Sequence, residues 1–134
     1  METQKAKHAC KAYYLAAQRC FEERTISKTE MQMLLFPGIH NMMISIHAGL
    51  LAILGDTTEQ GEKTEIDVLF SRTDAQFQKL VLGRMGMNTT AFSVSLAQVT
   101  QLFSSWQYPY AEVLTSMPDR NFFVRLGSLV FEQA

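Results

Sequence analysis

Glycine and proline are scarce in this chain, seven and three among 134 residues. The frequent turns that an all-β sandwich needs are therefore missing, and no stretch alternates apolar and polar residues as a half-buried strand does. Cysteine is limited to Cys10 and Cys20. On one helix these lie about 15 Å apart, and a disulfide needs Cα atoms within about 7 Å, so they do not pair with each other there. The opening METQKAKHAC has no apolar core of signal-peptide length, and no uninterrupted apolar run is long enough to span a bilayer. Together these point to cytoplasmic residence with reduced thiols and no membrane association.

Charge of one sign is also lacking. The net charge is −1, which leaves no overall polycation to hold a nucleic-acid backbone. Residues 90–117 contain no lysine or arginine, so the helical stretch there has no basic side chain for reading base edges. Catalytic signatures are missing too: HExxH, GxSxG, GxxxxGK[ST], CxxC and GxGxxG do not occur, nor do aspartates at calcium-loop spacing. His40 and His47 share a helix face seven residues apart, about 10 Å, whereas one helix offers a metal its ligands at three- or four-residue spacing with bonds of about 2.0–2.1 Å. Asp67 and Asp74 are likewise seven apart on a wet helix, without the burial that tunes a catalytic carboxylate. No enzyme, metal or cofactor is expected. An unrecognised constellation near His40 and His47 is the remote enzymatic alternative.

What is present is apolar matter at helical spacing. Apolar residues make up 47% of the chain and charged ones 19%, a globular balance, and about two-thirds of the unfolded surface can be buried at this length. The pattern predicts one all-α domain over 1–134: a compact bundle of five to six helices, packed orthogonally or side by side around a central apolar helix at 39–54. The first helix, 4–24, places Ala6, Cys10, Tyr13, Tyr14, Ala17, Cys20 and Phe21 on one arc. A short second helix has Ser27 as cap and Glu30 three residues on, and ends at LLFPG, where Pro37 and Gly38 favour a turn.

The third helix holds NMMISIHAGLLAIL, apolar on every face, and Gly55 stops it. The polar GDTTEQGEKTE, 55–65, reads as a loop and a hinge between two helical halves. A fourth helix, 65–85, carries Ile66, Leu69, Phe70, Phe77, Leu80 and Val81. A fifth, 90–107, follows the capping side chains of 88–90 with Phe92, Leu96, Val99, Leu102, Phe103 and Trp106. After a break at 108–110 and a helical turn over 110–116, Ser116 and Pro118 open the last helix, 118–132. Its main arc is Phe122, Phe123, Leu126, Leu129 and Val130.

Apolar surface is in surplus. Val124 and Phe131 lie off the main arc of the last helix. Ser45, Gly49 and Ala52 make a small-residue face on the central helix that invites close approach of another backbone. Eight methionines, six of them in close pairs, add adaptable surface. This pattern points to a small cytoplasmic helical protein-interaction module, an adaptor, chaperone, inhibitor or regulatory subunit that binds another protein and forms a homodimer. Val124, Phe131, Ser45, Gly49, Ala52 and His47 are its candidate contact residues. His47 reads either as a core histidine bonded to a carbonyl or hydroxyl, or as a protonation-sensitive interface contact.

The charge that exists is uneven. Of 12 basic and 13 acidic residues, residues 1–28 hold six and three, and the rest of the chain holds six and ten. A basic N-terminal third steers toward an acidic partner. It also sustains the alternative reading, a subunit of a transcription regulator that contacts DNA mainly through a partner. On that side, YLAAQR (14–19), LGRMGMN (82–88) and SLAQVTQL (95–102) resemble segments of FlhD-type flagellar master regulators. The resemblance implies a small all-helical subunit working on DNA with a second protein. It covers a small share of the chain, and no functional residue carries over.

Overall fold

The computed structural model describes residues 2–22, 28–56, 58–104 and 120–134. These form seven helices and, among the described residues, no strand: α1 (Glu2–Phe21), α2 (Lys28–Leu54), α3 (Glu59–Glu62), α4 (Ile66–Ser71), α5 (Ala75–Met85), α6 (Thr89–Ser104) and α7 (Arg120–Gln133). The all-α bundle read from the sequence is the observed architecture, with α2 at its centre, packed against α1, α4, α6 and α7.

The apolar character of α2 explains that position. Ile39, Met42, Met43, Ile46 and Leu50 are almost fully buried, and a helix apolar all round needs neighbours on every side. By length and composition the window Pro37–Leu54 could cross a membrane, contrary to the sequence expectation, but 61% of it is buried inside the chain, as befits a core helix. Gly55, at φ 68°, ends the helix in the left-handed conformation. Its N–H donates to the Ala52 carbonyl and that of Asp56 to Leu51, so two terminal carbonyls are satisfied.

Two helix boundaries differ from the sequence expectation. The short helix and the central helix are one element, and Pro37 lies inside it. Proline there cannot donate to the carbonyl four residues back, a cost of about 3 kcal/mol in an isolated helix. Tertiary packing offsets it. Gly38 is buried against the end of α1, where an added Cβ would stand 2.6 Å from Phe21 Cε1 and 3.0 Å from Cys20 Cβ. The Pro-Gly pair thus marks a close helix crossing rather than a turn.

The expected helix 65–85 is two helices. Asp74 caps α5, accepting from the Phe77 N–H at 2.7 Å. Gln78 Nε2 donates to the carbonyls of Phe70 (3.2 Å) and Thr73 (3.0 Å) across the break, where the Phe70 carbonyl also accepts from the Thr73 N–H at 3.1 Å and the Thr73 hydroxyl at 2.6 Å. Asp67 and Asp74 are consequently on different elements. The start of α6 is as expected, with Asn88 Oδ1 accepting from the Ala91 N–H at 2.7 Å.

The core runs through both halves of the chain. Tyr14 and Ala17 of α1 belong to the same buried cluster as Val99 of α6 and Phe123 of α7. A chain of phenylalanine rings, Phe77, Phe70, Phe92, Phe122 and Phe123, joins α5, α4, α6 and α7 at centroid spacings of 5.1–6.5 Å, the range in which tilted aromatic pairs attract. The 55–65 segment contains α3 and is tied to α2 rather than open, since His47 bonds to its Thr64. The Ser27 cap, Trp106, the break at 108–110, the turn over 110–116 and the Ser116–Pro118 start lie outside the described residues.

Candidate functional site

Alpha-helices 1 and 2 run antiparallel, with Phe21 opposite Gly38 and Cys10 opposite Ser45. Ser45 is fully buried, and its hydroxyl donates to the Cys10 carbonyl at 2.7 Å. With that proton committed, the Cys10 thiol donates to Ser45 Oγ at 3.5 Å. Burial raises the Cys10 thiol above its ordinary value, a shift the Ser45 contact partly offsets. A thiol so placed is inert packing rather than a nucleophile.

Gly49 receives Cys10 of α1 and Val130 of α7. Ala52 is buried as well. The small face of α2 that sequence reasoning allotted to a partner is therefore occupied by the chain's own helices. Phe131, half-buried, stacks on Tyr14 of α1 with centroids 4.5 Å apart and planes within 8°, so α1 also covers part of the surplus face of α7. Val124 is half-buried.

His47 belongs to a different environment. Its Nε2–H donates to the Thr64 carbonyl at 2.9 Å, and its ring lies 5.4 Å from that of Phe103. Burial lowers its pKa below the ordinary 6.5, against the opposing pull of the Thr64 carbonyl and the Glu62 charge. It borders a half-open cavity of about 510 Å³ whose apolar wall is Ala6, Ala9, Ile44, Ala48, Leu51 and Phe103, with Lys5 and Glu62 as the charged members. That volume suits a small ligand or an inserted side chain. His40, half-buried on the same helix, has its pKa lowered by burial. Among the described residues, no group of three His, Cys, Asp or Glu side chains lies close enough to hold a metal ion.

A second surface borders that cavity at Lys5. The side of α1 turned away from α2 carries Lys7, His8, Lys11, Leu15 and Arg19, all exposed. Lys7, Lys11, Leu15 and Arg19 are spaced by four and form a stripe about 18 Å long at 1.5 Å per residue. Leu15, 45% exposed, sits within this cationic stripe. Tyr13, which periodicity assigned to the buried arc, is 39% exposed at its edge. The sequence shows the basic stretch but not that Lys7, Lys11 and Arg19 stand on exposed α1 surface with a bare leucine among them. The helical register of α1, read together with its buried arc, was the available signal.

No family model, curated protein or solved structure gives a significant match to this chain.

Proposed function

We propose that this chain is a small protein-interaction module, acting as an adaptor or regulatory subunit, whose contact surface is the outer face of α1. The observation that carries this reading is Leu15, 45% exposed between Lys11 and Arg19 one turn to either side. Basic side chains alone are ordinary solvated surface. An exposed leucine flanked by cations offers both an apolar anchor and electrostatic steering, the two parts of a protein contact. The complementary surface is a protein segment with carboxylates around an apolar side chain.

A nucleic-acid backbone matches this face less well. It presents phosphates but no apolar group for Leu15, and the remainder of the chain is net acidic. The reading includes a reducing compartment, in keeping with two free cysteines. The direct test compares proteins captured by the wild-type chain and by a Lys11→Glu/Leu15→Glu variant of unchanged helicity. A specific partner held by the first and lost by the second is expected. Identical capture would contradict the role of this face, and a salt-sensitive DNA shift abolished by Lys7→Glu/Lys11→Glu would favour the transcription-regulator alternative.

A further inference from the structure

We infer that one occupant of the α1 face is a second copy of this chain, docked through its own acidic segment at 62–68. This rests on the reading of α1 as a contact surface and names the partner. The chain carries a surface of matching chemistry. Residues 56–67 contain Asp56, Glu59, Glu62, Glu65 and Asp67 against the single Lys63. Within that segment Glu62 and Glu65 are exposed, and Val68, next to Asp67, is 39% exposed. One surface is a leucine among cations, and the other is a valine beside carboxylates. Leu15 and Val68 are two of the four large apolar side chains that stand out into solvent among the described residues.

The start of α1 lies close to the acidic stretch. Lys5, at the start of α1, and Glu62, at the start of the acidic stretch, line the same cavity. A two-fold dimer can pair two complementary patches carried by one molecule. Rotation about an axis between them lays the cationic patch of each copy on the acidic patch of the other, and both contacts form at once.

The arrangement makes a demanding test of charge. Reversing α1 with Lys7→Glu, Lys11→Glu and Arg19→Glu gives a chain acidic on both patches. Reversing the other patch with Glu62→Lys and Glu65→Lys gives a chain basic on both. All five positions are exposed, so the fold is expected to be retained, which circular dichroism checks. Light scattering after size exclusion, at low salt and over a hundredfold concentration range, is expected to give a dimer for the parent chain. Each reversed chain alone should be monomeric, its self-association weakened at least tenfold. An equimolar mixture of the two should be dimeric again, because both contacts are then of opposite sign, and about 1 M salt should weaken that dimer as screening shortens to about 3 Å. A parent chain monomeric throughout, reversed chains that remain dimeric alone, or a mixture that stays monomeric each overturns the inference. A monomeric parent whose captured partner is still lost on Lys11→Glu/Leu15→Glu would overturn self-docking while leaving the α1 contact surface intact.

Discussion

Val130 Cγ1 occupies the space that a side chain at position 49 would fill, so Gly49 is the point where α7 rests on α2. The relation is reciprocal. On α7, Gly127 leaves the space taken by Met42 of α2. Each helix gives up a side chain where the other inserts one, which lets the two backbones approach closely at their crossing.

That crossing fixes the sign of a simple substitution. Alanine favours an α-helix over glycine by about 1 kcal/mol, yet Gly49→Ala puts a methyl into Val130 Cγ1 and 2.9 Å from Cys10 Sγ. Overpacking of this kind costs about 1–3 kcal/mol. Urea denaturation is expected to show a net loss of stability, relieved in Gly49→Ala/Val130→Ala. A gain in stability from Gly49→Ala alone would place the crossing elsewhere.

Gly83 is the counterpart without a neighbour. It lies inside α5, is exposed, and an added Cβ would meet nothing within 4 Å. Gly83→Ala is expected to raise stability by about 0.5–1 kcal/mol through helix propensity alone, measured by the same denaturation.

The histidines set a pH dependence. Burial lowers the folded-state pKa of both His47 and His40 below 6.5. The unfolded chain therefore takes up protons first as pH falls. Stability is at its full value above about 6.5 and declines as the pH drops from there toward the folded values. Thermal melts between pH 8 and pH 5 are expected to show this decline, made shallower by His47→Gln. A stability that rose on acidification through this range would contradict the buried neutral imidazoles.

The two thiols differ in access. Cys10 is 1% exposed, with its pKa raised by burial, whereas Cys20 is half-buried at the end of α1. Alkylation of the native protein is expected to modify Cys20 first and Cys10 only on the time scale of unfolding. Equal rates at the two cysteines would mean that the α1–α2 contact opens readily.

Much of this fold was legible because burial imposes a period on the sequence. Phe92, Leu96, Val99 and Leu102 of α6 and all five arc residues of α7 are buried as their spacing implies, and Gly55 ends α2 where a glycine stop was read. What was not legible depends on contacts between distant residues. Pro37 and Gly38 are local stop signals overridden by Phe21 pressing on the helix from α1. The break before Asp74 shows in the sequence as the missing apolar residues between Phe70 and Phe77 and as Asp74 itself, a residue type favoured at helix N-caps. The first turn of α4 receives its cap from far away: Thr100 Oγ1 accepts from the Asp67 N–H at 3.1 Å while donating to the Leu96 carbonyl. The site was legible in part. The basic stretch is evident in the sequence, but a face of small residues does not say which helix fills it. An exposed leucine such as Leu15 becomes informative only once its neighbours are known.

The central claim is that the outer face of α1 is a protein contact surface met by residues 62–68 of a second copy. Backbone amide shifts of the isotopically labelled full chain, followed by NMR as its concentration is raised at low salt, test it most directly. The account expects residues 7–19 and 62–68 to shift together along one binding curve while exposed positions of α5, such as Lys79 and Arg84, stay still. Shifts absent at every concentration, or confined to other surfaces, would contradict it.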